Sequence, residues 1–475
     1  MASADRHDVI VIGGGLAGLT AACRAAELGL SVRVLERGSD ERYACNSRYS
    51  GGILHLAFHN PKEPAADLLD VIERTTRGRA RPELARALAD NCARAIDWLR
   101  DSGARFIRVG EIAYQQWVLA PPRPLTPGLD WRGRGPDLTL RTLEERLARR
   151  GGGLLRNAAA QALIVEDGRV CGVEATAEGK AARFAASAVV IADGGFQANL
   201  DLLRQHVSPH PDALKQRGAA TGVGDGLRMA RAAGAAVTGL DHFYGHLLSR
   251  DAFGNDRLWP YPQLDELGTA GIVVDRNGAR VVDEGLGGVQ CANVIAKLPD
   301  PLATFALFDE RVWNGPGRNA RIPANPHLAD AGGTVLHADS LLGLAGQMQV
   351  SAEKLEHTVR EYNAALRAGR GGDLLPPRSS APITGNRPIP TLPIEKPPFY
   401  AVPLCAGITY TMGGVAIDAG ARALREDGTP IPGLYAAGAA SGGLEGGAVA
   451  AYLGGLLKAL VTGLLAAEHI ASQRR

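Results

Sequence analysis

Residues 8–37 read DVIVIGGGLAGLTAACRAAELGLSVRVLER, and the fold follows from how this stretch is read. Residues 8–12 are a short apolar run suited to a buried parallel strand. Gly13, Gly15 and Gly18 fit G-x-G-x-x-G. Residues 17–28 are rich in small side chains and predict a helix, and residues 31–35 predict a second strand that stops at Glu36. The first glycine makes the tight turn, and the second lets the backbone approach a pyrophosphate. The third lets helix and strand pack closely, while the helix N-terminus attracts phosphate charge. An acidic residue about twenty positions on can bond a ribose hydroxyl, and Glu36 fits. The pattern predicts a bound dinucleotide, without separating FAD from NAD, which share the adenosine diphosphate half.

The chain has 475 residues, enough to bury a large core and to form two domains. Lys plus Arg number 52 against 50 for Asp plus Glu, and no basic stripe points to nucleic acid. The cysteines at 23, 45, 92, 171, 291 and 405 form no C-x-x-C pair. That distribution predicts reduced thiols in a cytoplasmic setting and argues against a disulfide framework or a zinc site, so no metal is expected. No secretory signal is expected, because the first apolar run is the nucleotide strand itself. No transmembrane segment is expected either. The run 446–470 is interrupted by Tyr452, Lys458 and Glu468, and predicts a buried helix. Residues 369–398 are rich in Gly and Pro and predict a loop or domain connection. Trp117, Arg123, Trp131, Arg132 and Arg134 mark a stretch that reads as a solvated loop with snorkelling arginines, and less readily as a substrate-lining one.

Two later segments decide between nucleotides. Residues 186–195 (ASAVVIADGG) are an apolar strand ending in a glycine pair, and residues 433–438 (GLYAAG) are another strand ending in glycine. Strands that halt at small residues let a ligand lie across their carboxyl ends. A simple doubly wound NAD domain needs no closing strand so late in the chain, whereas an FAD domain interrupted by a substrate domain does.

With those segments in place, the chain resembles the flavoprotein family of fumarate reductases and succinate dehydrogenases. The resemblance rests on GGGLAGLTAA with Glu36 and Arg37, NSRYSGG at 46–52, ADGGF at 192–196, TGVGDGLRMA at 221–230, NGARVVDE at 277–284, PFYAVPL at 398–404, TMGGVAID at 411–418 and GLYAAGAASGGLEGG at 433–447. Within the family, NSRYSGG and VVDEG look closest to soluble tricarballylate dehydrogenase-like members. The resemblance implies an α/β fold: a Rossmann-like, glutathione reductase-type FAD domain from 1–235 and 385–475, with an inserted α+β capping substrate domain at 236–384. It implies FAD contacts at Gly13, Gly15, Gly18, Glu36 and Arg37, at Ser47, Arg48, Ser50, Gly51 and Gly52, and at Asp193, Gly194, Asp225 and Gly438. Ala439 stands where the family usually has Glu. Membrane-bound relatives link FAD to a histidine near NSRYSGG; here Cys45 and Asn46 hold that neighbourhood, so noncovalent FAD is expected.

Flavin accepts hydride at N5, so the protein must place a substrate carbon there and manage one proton. The family's first substrate histidine maps to His246. Its proton-transfer arginine maps near Gly288, its second histidine to Tyr410, and its second arginine has no counterpart; Glu445 lies in that turn instead. The loss of two cations and the gain of a carboxylate argue against fumarate or succinate. Tyr410 is the candidate acid, base or oxyanion donor, His246 a candidate substrate ligand, and Glu445 a candidate base, with Tyr452 behind them. Arg48 is expected to neutralise reduced flavin. The reading is dehydrogenation or reduction of a carbon–carbon bond next to a carbonyl or carboxylate, on a small organic acid or cyclic ketone, with electrons passing to a separate acceptor. The alternatives are an oxidase or monooxygenase using oxygen, a flavin-binding module without turnover, and an NAD-binding dehydrogenase.

Overall fold

The computed structural model describes residues 5–379 and 389–474. Residues 380–388, inside the expected Gly/Pro-rich connection, lie outside the described residues. Five parallel strands form the spine of an eight-stranded sheet in the order Pro430–Ala436, Lys180–Ile191, Asp5–Ile12, Val32–Leu35 and Gly153–Leu155. The second half of the central strand, residues 9–12, is apolar because both its faces are covered, and Val9, Ile10 and Val11 have no exposed surface. Ile12 pairs with Leu35 on one side and with Ile191 on the other, and Ile191 pairs with Ala436. The register therefore stops four strands level, and their carboxyl ends open onto one crevice. An antiparallel hairpin, Ala158–Glu166 and Arg169–Ala177, extends the sheet from Lys180–Ile191.

The helix Leu16–Glu27 crosses back over the central strand. Its close approach requires a glycine: a Cβ on Gly18 would lie 2.0 Å from the Gly13 carbonyl oxygen. The C-terminal helix Gly455–Ser472 packs on Leu16–Glu27 in turn, and a Cβ at Gly463 would lie 2.6 Å from the Ala17 carbonyl oxygen. This C-terminal helix is long and apolar enough to cross a membrane by length and composition, and 61% of it is buried inside the protein. It starts nine residues later than the expected 446. Gly446, Gly447, Ala450 and Gly454 all take positive φ, which no right-handed helix admits, so residues 446–454 form a turn instead.

A second, six-stranded sheet centres on the long strand Phe399–Thr411. Phe243–Ser249, Thr304–Asp309 and Leu336–Ala338 run antiparallel to it, and Leu214–Gln216 runs parallel. This sheet takes strands from both sides of residues 236 and 384, so the expected boundaries do not separate the two sheets. The register of Phe243–Ser249 shifts at Tyr244/Gly245, where Tyr244 stands opposite Tyr410. Such bulges re-aim a side chain; here a Cβ on Gly245 would collide with the Gly407 carbonyl oxygen at 1.9 Å.

The Gly18 contact has a measurable consequence. Gly18→Ala should destabilise the fold by roughly 1–3 kcal/mol, the usual cost of overpacking, and should lower the flavin retained through purification. Thermal melts and the visible-to-ultraviolet absorbance ratio read both effects; an unchanged melt would contradict the packing argument.

Candidate active site

A cavity of about 720 Å³ opens at the level carboxyl ends and continues beneath the second sheet. One end is a backbone cradle. Gly13 has φ +102, and a Cβ there would lie 2.6 Å from the Ala192 carbonyl oxygen. Glu36 is 5% exposed; its Oε2 accepts from the Gly14 amide at 2.8 Å and its Oε1 from the Gly38 amide at 2.7 Å. Burial raises its carboxyl above the ordinary value despite these amides. Ser47 Oγ accepts from the Leu16 amide at 3.0 Å, capping the helix that follows the glycine turn, and Ser50 donates to the Ser47 carbonyl at 2.7 Å. Arg37 pairs with Asp225 at 3.2 Å across the rim. Gly13, Gly15, Gly51, Gly52, Gly194 and Gly438 line the wall, whereas Gly18 serves the helix–strand contact and does not.

Arg48 corrects an expectation. Its guanidinium points away from the cavity, has no exposed surface, and sits against Asp137 at 3.4 Å and over the Tyr43 ring at 4.2 Å. A buried cation takes the buried anion it can reach, and Asp137 on the helix Gly135–Arg149 supplies it.

Asp193 shows that the cradle is built for a polar ligand. Its Oδ2 accepts from the Gly226 amide at 2.7 Å, while Oδ1 is buried with no partner among the described residues. Gln197 Oε1 is left the same way. Both residues line the cavity, and a buried polar atom without a partner is costly unless a ligand or water meets it. Glycine walls, a helix N-terminus and unmet acceptors suit the hydroxyls and phosphates of an FAD.

The other end of the cavity carries three tyrosines. Tyr410 is the penultimate residue of the strand Phe399–Thr411, and both oxygens of Glu445 lie 3.0 Å from its hydroxyl. Glu445 does not line the cavity. It stands behind Tyr410, bonded to the Leu453 amide at 2.9 Å and to the Lys458 ammonium, so it does not face the cavity as a direct base or substrate ligand would. Tyr452 stacks on Tyr244 with ring centroids 3.8 Å apart, and its hydroxyl accepts from the Gly455 amide at 3.3 Å, at the start of the C-terminal helix. Tyr244 in turn bonds His246 Nε2 at 2.8 Å, and His246 Nδ1 lies 2.5 Å from Asp265 Oδ2. Burial lowers the His246 imidazole below its ordinary value even beside Asp265. With Asp265 accepting at Nδ1, Nε2 of the neutral ring is the acceptor for the Tyr244 hydroxyl. Burial first, and the Glu445 charge second, push the Tyr410 phenol well above its usual value, so it is a neutral hydroxyl.

His246 and Tyr410, both expected at the substrate, line this cavity, and beside them stand Tyr244 and Asp265, which no motif singled out. The i, i+2 spacing of Tyr244 and His246 on one strand was a usable signal. A lysine alone in an apolar helix was another, because such a charge needs a buried partner.

The FAD binding domain family matches residues 8–451. The vinyl phenol reductase of Lactiplantibacillus plantarum is 25% identical over 94% of this chain and 92% of its own length. The fumarate reductase (cytochrome) of Shewanella frigidimarina is 27% identical over 93% of this chain and 73% of its own. Among solved structures, a 3-ketosteroid delta1-dehydrogenase from Sterolibacterium denitrificans superposes with a TM-score of 0.74 at 22% identity, covering 99% of this chain and all of that one.

Asp193 also yields a pH prediction. Burial raises its carboxyl from an ordinary 3.8 to about 7, so the folded chain holds a proton that the unfolded chain releases. Its contribution to stability is present in full below 3.8 and is lost as the pH rises through about 7. In protein stripped of FAD, melting temperature should fall across that window, and Asp193→Asn should flatten the fall; an unchanged slope in the variant would contradict the assignment.

Proposed function

The chain belongs to the FAD binding domain family, and from that premise we propose how its cavity carries out oxidoreduction at a carbon–carbon bond. It is an FAD-dependent oxidoreductase of the dehydrogenase/reductase class. Bound FAD supplies the hydride acceptor or donor at N5. The substrate is a small molecule whose reacting bond lies next to a carbonyl or carboxylate. In the oxidative direction one carbon loses hydride and its neighbour loses a proton. That proton passes to the Tyr410 oxygen as the Tyr410 hydroxyl proton moves to Glu445, so the phenol stays neutral throughout. In the reductive direction the same protons run back.

The observation that carries this reading is the placement of Tyr410 in the cavity wall with Glu445 held behind it at 3.0 Å and Lys458 behind that. Enolate charge that develops on the carbonyl oxygen needs donors. The Tyr452 hydroxyl, which accepts from the Gly455 amide at the positive end of a helix and keeps its own proton to donate, is suited to the task. A second reading is favoured by the 2.5 Å His246–Asp265 contact: the proton leaves through Tyr244 to His246. Under the first reading, His246 is a positioning residue that fixes Tyr244 and, through the ring stack, Tyr452.

FAD is taken to be held without a covalent bond. Cys45 lines the cavity, but burial pushes its thiol up to about 11, which suppresses the thiolate that would attack flavin. The electrons leave to a separate acceptor: a partner protein, a quinone or oxygen. A reducing, cytoplasmic setting is proposed as well, in keeping with the free thiols among the described cysteines.

The test is an anaerobic titration of the purified flavoprotein with organic acids and cyclic ketones, followed at the flavin band. Bleaching by one compound supports the reading. Should none bleach it, and should dithionite-reduced protein fail to reoxidise with unsaturated acids or enones, the reading falls. Tyr410→Phe should retain FAD and lose about 10²–10⁴ in the rate of bleaching, the usual worth of a proton-transfer group. His246→Asn should lose far less; the reverse order would move the proton route to Tyr244 and His246.

A further inference from the structure

The cavity wall holds more positive charge than the protein itself neutralises. Arg217 follows the strand Leu214–Gln216, lines the cavity and is 6% exposed. Its Nη1 donates to Thr409 Oγ1 at 2.6 Å and its Nε to the Pro260 carbonyl at 3.3 Å, both neutral acceptors. No carboxylate lies within ion-pair distance of it among the described residues. Arg321 also lines the cavity, and it makes no hydrogen bond or ion pair with any described residue. A third guanidinium, Arg123, is 6% exposed and stacks on Tyr261 at 4.3 Å, with Arg217 over the same ring at 5.6 Å. Burial, with repulsion from both Arg217 and Arg321 adding to it, depresses the Arg123 guanidinium below its ordinary value. Its nearest carboxylate, Asp130, is committed to Arg134 through two bonds of 2.7 Å.

The cavity's own carboxylates do not answer this charge. Asp265 takes His246 and the Leu247 amide, and Glu111 pairs with Arg108. Glu266 lines the cavity but has no cation within ion-pair distance among the described residues. Arginine left unpaired in a partly buried wall is the residue type suited to grip a carboxylate in the plane of its fork. The cluster sits beside the reacting groups, because Arg217 is tied to Thr409, the residue before Tyr410.

We propose that Arg217 and Arg321 form an anion subsite of the substrate cavity, so that the substrate is a keto acid or enone acid: one carbonyl activates the reacting bond and a separate carboxylate is held by the two arginines. These are not the positions at which the family resemblance implies guanidinium groups, since those hold Gly288 and no arginine here. The inference rests on the reading that this cavity takes the substrate. It is tested by binding rather than turnover, so the two can fail separately.

The probes are 4-oxocyclohexanecarboxylate and its primary amide, matched in ring and carbonyl, added to the FAD-loaded protein. Dissociation constants are read from calorimetry and from perturbation of the flavin spectrum. The wild-type protein should prefer the acid by about tenfold or more, the usual worth of a charge-assisted bond. Arg321→Met should abolish the preference and Arg321→Lys should restore part of it, with FAD content unchanged in both. Equal binding of acid and amide by the wild type, absence of binding by either, or a preference that survives Arg321→Met would overturn the proposal. A loss of FAD from Arg321→Met would also overturn it, by assigning the arginine to the cofactor diphosphate. Acid preference without bleaching by any carbonyl compound, and without reoxidation of the dithionite-reduced protein by unsaturated acids or enones, would leave the subsite standing and reject the proposed oxidoreduction at this cavity.

Discussion

A carboxylate with no exposed side-chain surface sits at the junction of the two sheets, and its pairing is the constraint on which the reacting end of the cavity depends. Glu445 has three partners: Lys458, the Leu453 amide and the Tyr410 hydroxyl. Those partners come from three places, namely the C-terminal helix, the turn before it, and the end of the long strand in the second sheet. Removing Lys458 would leave the buried Glu445 charge uncompensated, which is far more costly than the pair is stabilising. The nucleotide-binding half and the sheet that carries Tyr410 are thus locked in one relative position by a polar network of four groups. The same lock brings the start of the C-terminal helix against the Tyr410 ring, where a Cβ on Gly455 would lie 3.1 Å from Tyr410 Cε1.

That geometry divides the chemistry between scaffold and side chains. The level ends of four parallel strands are a property of backbone register, and they build a cradle from amides, glycines and the acceptors of Glu36 and Asp193. The reacting end is made of three phenols, two of them backed by an acid: Tyr410 by Glu445, and Tyr244 through His246 by Asp265. Burial keeps every one of these phenols neutral, since Tyr244, Tyr410 and Tyr452 are all raised above the ordinary tyrosine value. Neutral phenols can relay a proton without storing charge, which suits a site that works next to a flavin.

The parts of the molecule legible in the sequence were those set by local spacing. The glycine turn, its helix and the strand ending at Glu36 lie within one residue of where the pattern put them, and the late GLYAAG strand pairs as its glycine ending implied. Tyr410 and His246 line the cavity because their motifs carry them to strands that face it. What was not legible depends on pairing across the fold. Arg48 stands inside NSRYSGG, yet direction is not encoded by proximity to a motif, and a distant aspartate claims it. Residues 446–454 have the apolar composition of a helix, but glycines at positive φ turn the chain to deliver Glu445 and Tyr452. Arg123 reads as a snorkelling arginine of a proline-rich solvated loop; Tyr261, far along the chain, stacks on it, and it is buried. Lys458 looked like an interruption until Glu445 stood opposite.

The central claim is that Tyr410, backed by Glu445, moves the substrate proton. The most direct measurement is the washout of deuterium from the α-carbon of a ligand that binds the oxidised enzyme, followed by mass spectrometry in ordinary water. Because it reads proton transfer alone, it does not depend on hydride transfer or on the identity of the electron acceptor. The account predicts washout catalysed by the wild type and lost in Tyr410→Phe, with FAD content and ligand affinity retained. Washout that continues undiminished in Tyr410→Phe would contradict it.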